Sequence, residues 1–177
     1  MKHPSDEGKY RFRWELIGDI ALGRPNLGDR TRLEVFRLMQ FCFRDVIERH
    51  VGTEMTDRIS YEAGELAGRE FYAHMIGDVL ELTAFIDRLR DLFRDLGIGI
   101  LRAEAVDAKA GRLILTVSED LDCSGLPELN YEACTYDEGF IAGLLAAFSG
   151  RRFRVREIDC WCTGDRTCRF IAQAETP

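Results

Sequence analysis

The sequence predicts an α+β domain: a helical shell packed on a small four-stranded antiparallel sheet made of two β-hairpins. Three observations predict it. Apolar residues recur at helical spacing through three successive segments up to Leu96; after Gly97 the chain changes to short β-favouring runs; and one more helical segment separates two pairs of such runs.

Taken in order, the polar opening "MKHPSDEGKY" is expected to fray, and residues 1–28 form an N-terminal arm closing at the turn-forming "RPNLGD". Trp14, within "RFRWELIGDIAL", is an anchor either for its own domain or for a dimer mate. The domain proper spans 29–174. Thr31 followed by Glu34 offers a capping box, and the next segment keeps Leu33, Phe36, Met39, Phe43, Val46 and Ile47 on one face before Gly52. Cys42, between Phe41 and Phe43, is expected in the core. A second helix runs through "TDRISYEAGELAGREFYAHMIGD" and a third through "ELTAFIDRLRDLFRDLG". Two β-favouring runs then flank a connection at Ala108 to Gly111, a hairpin. The loop "LDCSGLPEL" leads to a fourth helix over "YEACTYDEGFIAGLLAAFSG", and "RRFRVREIDCW", "CTGDR" and "TCRFIAQA" make a second hairpin. Small residues recur at fourfold spacing in the second helix (Ser60, Gly64, Gly68) and the fourth (Gly139, Gly143, Ala147). Glycine is costly inside a helix, so each stripe calls for a close neighbour: another helix, a flat ligand or a dimer mate.

Composition excludes several classes. With 177 residues and 46% apolar content the chain can fill one core, and its net charge of −7 makes nucleic acid a poor partner. Arg151, Arg152, Arg154 and Arg156 form its one basic block, and their alternation with Phe153 and Val155 reads as the solvated face of a strand. No apolar run approaches the ~20 residues that cross a bilayer, and the first residues lack a signal-peptide layout, so membrane insertion is not expected and a cytoplasmic location is.

In a reducing compartment six cysteines are core residues, metal ligands or redox groups rather than a disulfide framework. Cys160 lies late in the third strand and Cys168 early in the fourth, so the intervening turn folds them together. Glu157 precedes Cys160 by three, the wrong parity for one strand face, but a bulge near Arg156 to Ile158 would aim both at one point. Cys134, near the start of the fourth helix, where the dipole favours thiolate, would complete four. Spacing favours zinc and leaves a thiol redox pair and inert buried cysteines open. Cys123 has no assignable role, and Cys160 and Cys162, alternate along a strand, stand too far apart for a mutual disulfide.

The strings "CTYDEGFIAG" and "EIDCWCTGDRTCRF" resemble the 4-vinyl reductase (4VR) domain family over roughly Leu33 to Ala172, with "ISYEAGELAGREF" resembling its Gly-bearing helix. The chain is similar to the sensory domain of phenol-responsive sigma-54-dependent activators. In those the zinc ligands are a Cys, a Glu 23 residues on, a Cys three further and a Cys eight beyond, intervals that Cys134, Glu157, Cys160 and Cys168 reproduce. The resemblance thus implies a structural zinc on those four residues, with Cys162 an extra thiol and no open coordination position for catalysis. It also implies an apolar pocket beside the zinc, a homodimer formed through the N-terminal region, and a fold like a subunit of the vesicle-tethering TRAPP complex and, more distantly, haem nitric-oxide sensors. The departures count: no GxxxxGK[ST] motif or helix-turn-helix follows, so the chain is not expected to drive transcription, and "RLILTV" lacks the Trp and His that hold a phenol hydroxyl.

The leading expectation is a stand-alone zinc-stabilised domain that binds an apolar small molecule, aromatic or tetrapyrrole-like, as sensor or carrier. Phe71, Tyr72, Phe85, Phe93, Leu113, Leu115, Tyr136 and Phe140 are candidate pocket residues, each also suited to plain core. One alternative is a tetrapyrrole vinyl reductase or its assisting factor in (bacterio)chlorophyll synthesis, disfavoured because no nicotinamide or flavin site is visible. Another is a protein-assembly module of TRAPP-like fold. A haem-binding variant would need His50 or His74 as axial ligand, and His74 reads rather as a surface or capping histidine.

Overall fold

In the computed structural model, residues 10–79 and 81–175 are described; the opening stretch expected to fray lies almost wholly outside them. Five helices and four strands follow one another as α1 (Ile20–Gly23), α2 (Leu33–Val51), α3 (Thr53–Phe71), α4 (Leu82–Asp95), β1 (Ile100–Asp107), β2 (Arg112–Ser118), α5 (Thr135–Ser149), β3 (Phe153–Asp159) and β4 (Cys168–Ala174). The class is α+β, as the sequence predicts. The antiparallel sheet has the order β1-β2-β4-β3, so its two hairpins join through β2 and β4, with β1 and β3 as edges. No helix among the described residues is long and apolar enough to cross a membrane.

The layers follow from where apolar side chains fall. Leu113, Leu115 and Val117 of β2, Phe170, Ala172 and Ala174 of β4, and Phe153 and Val155 of β3 make one buried sheet face. Arg154 and Arg156 alternate with these on the exposed face, as expected of a half-buried strand. Helix α5 packs on β3 from the inner side, and α3 packs on α5. Helix α4 turns Phe85, Leu89, Leu92 and Phe93 inward beside β1 at the i, i+4, i+7, i+8 positions of one helix face. Helix α2 lies outermost against α3 and buries none of its residues.

The glycine stripes are explained by a neighbouring helix. A Cβ on Gly64 would stand 2.1 Å from Tyr136 O, and one on Gly68 2.2 Å from Phe140 O; in return, Gly139 and Gly143 leave room for Tyr61 O at 2.0 Å and Glu65 O at 2.3 Å. Four missing side chains thus bring the α3 and α5 backbones into contact, which offsets glycine's low helix propensity.

Two local expectations need correction. Helix α2 starts without the Thr31 capping box: Arg32 occupies the N-cap with no side-chain cap, and Glu34 instead accepts from the Arg32 guanidinium. Cys42 is exposed, not core. Its apolar neighbours in sequence sit about 100° away around the helix, so they say nothing about the face Cys42 occupies.

Candidate metal centre and adjoining cavity

Four cysteines from four different segments converge beneath the sheet. Cys134 is the N-cap residue of α5, Cys160 follows β3, Cys168 opens β4 and Cys123 comes from the loop after β2; all four are fully buried. Their sulfurs lie within 4.8 Å of one another. Cys134 Sγ is 3.9 Å from Cys160 Sγ and 3.7 Å from Cys168 Sγ, and Cys123 Sγ is 3.0 Å from Cys168 Sγ. A tetrahedron of ~2.3 Å metal–sulfur bonds has edges of about 3.8 Å, so the cluster is close to the size a single tetrahedral ion requires. The group can hold a metal ion.

Glu157 stands against this cluster. Burial on β3 runs regularly through Phe153, Val155 and Glu157, which puts the carboxyl on the inner face, and Glu157 is 2% exposed. The register then shifts between Glu157, opposite Phe170, and Asp159, opposite Arg169. Ile158 is the extra residue of this β-bulge, and it lets Cys160, three positions on, join the face Glu157 occupies. One Glu157 oxygen accepts the Cys134 N–H at 3.4 Å; the other is buried without a partner. Burial first, then the negative charge of Cys160, pushes the Glu157 carboxyl up to about 9. Cys160 moves the other way, its pKa lowered by hydrogen bonds from the thiols of Cys123, Cys134 and Cys168. Cys162 is buried next to the cluster but outside the four mutually close sulfurs, and burial pushes its thiol up to about 12.

The loop carrying Cys123 is held from three sides. Asp120 Oδ1 accepts the N–H groups of Asp122 (2.8 Å) and Cys123 (3.0 Å), an Asx turn that fixes the cysteine's backbone. From α2, the Arg37 guanidinium donates to Leu121 O and Ser124 O, both at 2.9 Å, and Gln40 Nε2 donates to Asp122 at 2.8 Å. From the last hairpin, Trp161 Nε1 donates to Leu126 O at 2.9 Å, and Cys162 O accepts from Leu129 N and Asn130 N. No periodicity in the sequence points to Cys123; the paired aspartates before it, "EDLDC", are the nearest local signal.

An apolar cavity of about 540 Å³ adjoins the cluster. The arm supplies Phe12, Trp14 and Ile17, α2 supplies Phe36, α3 supplies Ala63, Leu66, Ala67, Glu70 and Phe71, α5 supplies Tyr136, Asp137 and Phe140, and Ile98, Leu121 and Asp122 complete the lining. Leu121 and Asp122 of the lining immediately precede Cys123, so one loop serves both places. Trp14 stacks on His74 at 4.5 Å between ring centroids and 8° between planes, so the arm packs on its own domain, and His74 serves as that platform while pairing with Glu70 at 3.5 Å. Of the candidate pocket residues, Phe71, Tyr136 and Phe140 line this cavity. Phe85, Phe93, Leu113 and Leu115 are buried in the core, and Tyr72 packs between Phe85 and Phe148.

At the cavity's polar end the charges are unbalanced. Burial pushes Asp122 up to about 7, with the charge of Asp120 adding to it, and holds Asp137 well above the usual carboxylate range, with Asp122 and Asp120 contributing. Asp120, Cys134 and Asp137 also bring ligand atoms within 4.8 Å of one another, so this end of the cavity abuts the thiol cluster.

Known proteins share this arrangement's fold. Residues 113–174, from β2 to the end of β4, match the vinyl-4-reductase (4VR) domain family. An uncharacterized protein of Methanocaldococcus jannaschii is 25% identical over 162 residues, covering 90% of this chain and 87% of its own length. The crystal structure of a vinyl-4-reductase family protein from the same organism superposes with a TM-score of 0.60 at 16% identity, over 88% of this chain and 91% of that one. The phenol-responsive sensory domain of the transcription activator PoxR, solved with phenol, gives 0.57 at 14% identity over 84% and 78%. A trafficking protein particle complex subunit 3 from Naegleria fowleri, covalently bound to palmitic acid, gives 0.62 at 12% identity over 81% and 95%. At these identities the structures establish a shared fold. The chain thus carries the vinyl-4-reductase domain, matched over residues 113–174, on the fold of the vinyl-4-reductase family structure.

Proposed function

We propose that this chain is a metal-stabilised binding domain for an apolar small molecule, acting as sensor or carrier. The observation that carries the reading is the 540 Å³ cavity, mostly apolar and roofed by the arm, whose floor is the loop that also bears Cys123. Its size suits an aromatic or similarly compact apolar ligand, and cavities of this range commonly bind one. The relatives' ligands, phenol in PoxR and palmitic acid in the trafficking subunit, belong to those proteins; they support ligand binding as a use of the fold.

The metal in this reading is zinc, held by Cys134, Cys160 and Cys168 with Cys123 as the fourth ligand and Glu157 beside them as a neutral neighbour. Soft thiolates select zinc, and its role is to cross-link the β2–α5 loop, α5 and the β3–β4 hairpin, which fixes the cavity's floor. A set of four protein ligands leaves no position for a reacting water, so no catalytic step is assigned to it. Such thiols are in keeping with a cytoplasmic setting.

Helix α2 supports a homodimer. Val35, Leu38, Met39, Phe43 and Val46 are all exposed on it, a stripe that a second copy would cover. The same stripe supports the second reading, an assembly module whose helix faces carry the function.

Native mass spectrometry of the purified protein tests the reading. The expected result is a dimer with one zinc per chain and an apolar compound in a fraction of the molecules, or tight uptake of an added apolar fluorophore. A protein that neither carries nor takes up any apolar compound would overturn it.

A further inference from the structure

We infer that the cavity selects ligands whose polar end is a basic, hydrogen-bond-donating nitrogen, an amine or an N–H-bearing cation on an apolar body, and rejects carboxylate-headed ones. This deepens the binding reading and rests on it. Every charged residue in the lining is acidic: Glu70, Asp122 and Asp137, with no lysine, arginine or histidine among them. Glu70 is paired with His74. Asp122, 6% exposed, receives a single side-chain donor, the neutral amide of Gln40. Asp137 has a buried Oδ2 with no hydrogen-bond partner.

A native interior rarely leaves a buried acceptor unmatched, because the group gave up its water without gaining a donor. A ligand N–H supplies what Asp137 lacks, and a positive charge offsets two buried carboxyls at once. A ligand carboxylate would instead add a further negative charge beside them. The positive end of the α5 dipole does not rescue it, since the first turn of that helix already carries Asp137 and Glu138. The apolar walls serve either ligand equally, so the discrimination comes from the head group alone, by repulsion of one as much as attraction of the other.

Decylamine, decanol and decanoate, tested at pH 7 by displacement of an apolar fluorophore, separate head from body. The metal content is monitored in the same samples. The expected order is amine, then alcohol, then carboxylate, with the amine at least tenfold tighter than the carboxylate. Asp137→Asn should narrow that gap to about threefold or less while leaving the alcohol and the metal content unchanged. Decanoate binding as tightly as decylamine in the wild-type chain would overturn the head-group inference and leave the apolar pocket standing. Failure of all three to displace the fluorophore, or of the fluorophore to bind, would overturn the pocket reading and this inference with it. The wild-type comparison decides the matter even if the variant does not fold.

Discussion

Helices α2 and α5 are both rich in apolar residues, yet they end in opposite places. Seven residues of α5, from Gly139 to Leu145, are buried between the sheet and α3. None of the nineteen residues of α2 is, and Phe43 remains 64% exposed. The difference lies in pattern and in neighbours. Helix α5 is apolar nearly all round and has a glycine stripe that admits another backbone, the signature of a central helix. Helix α2 has one apolar stripe and a polar remainder, and it turns polar side chains to the interior: Arg37 and Gln40 hold the loop of Cys123. One helix is therefore built into the single chain, and the other presents its apolar face outward while its polar face steadies the candidate metal centre.

The largest effect should come from breaking the thiol cluster on the α5 side. Removing the metal with a chelator, or making Cys168→Ser, is expected to cost on the order of 5 kcal/mol or more of folding stability, since structural zinc binding is worth about 10–16 kcal/mol in small domains. Chemical denaturation with and without chelator measures it. Next is the α3–α5 contact. Gly64→Val places a branched side chain where a bare Cβ is already 2.1 Å from Tyr136 O, and should cost about 3 kcal/mol, visible as a drop in thermal midpoint. A smaller effect is expected at the arm: Trp14→Ala removes a cavity wall and the stack on His74, and should weaken apolar-ligand binding about tenfold, ~1.4 kcal/mol, with zinc content unchanged. Smallest for the fold is α2 itself. Phe43→Asp should shift denaturation by no more than about 0.5 kcal/mol per monomer while abolishing self-association in sedimentation. A large loss of monomer stability from Phe43→Asp would erase the contrast between the two helices.

What the sequence made legible is what periodicity and spacing control. The hairpin connection at Ala108 to Gly111 is the turn between β1 and β2, and a bulge falls at Ile158, where the parity conflict between Glu157 and Cys160 required one. The glycine stripes announced a close partner but not which, because a bare helix face fits a helix, a ligand or a second copy alike; the backbone distances identify the helix. Cys123 was not legible, since a loop residue has no period and its place is set by Asp120, whose own carbonyl is held by Arg37 from 83 residues away in sequence. The Thr31 cap failed for a related reason: Glu34 has a competing partner in Arg32, and an exposed helix start is decided by such small local differences. The cavity was illegible as a space, because the same aromatic residues serve core and wall; what separates Phe71 and Phe140 from Phe85 and Leu113 is the position of the arm.

The central claim is that a metal held by thiolates from four segments fixes the floor of the cavity. Zinc X-ray absorption on the native protein, alongside Cys123→Ser and Glu157→Gln, tests it most directly. The account predicts one zinc per chain with four sulfurs at about 2.3 Å, unchanged in Glu157→Gln and weakened or lost in Cys123→Ser. A shell of three sulfurs and one oxygen that survives Cys123→Ser and is lost in Glu157→Gln would contradict the ligand assignment, and a metal-free chain with its cysteines oxidised in pairs would contradict the metal centre altogether.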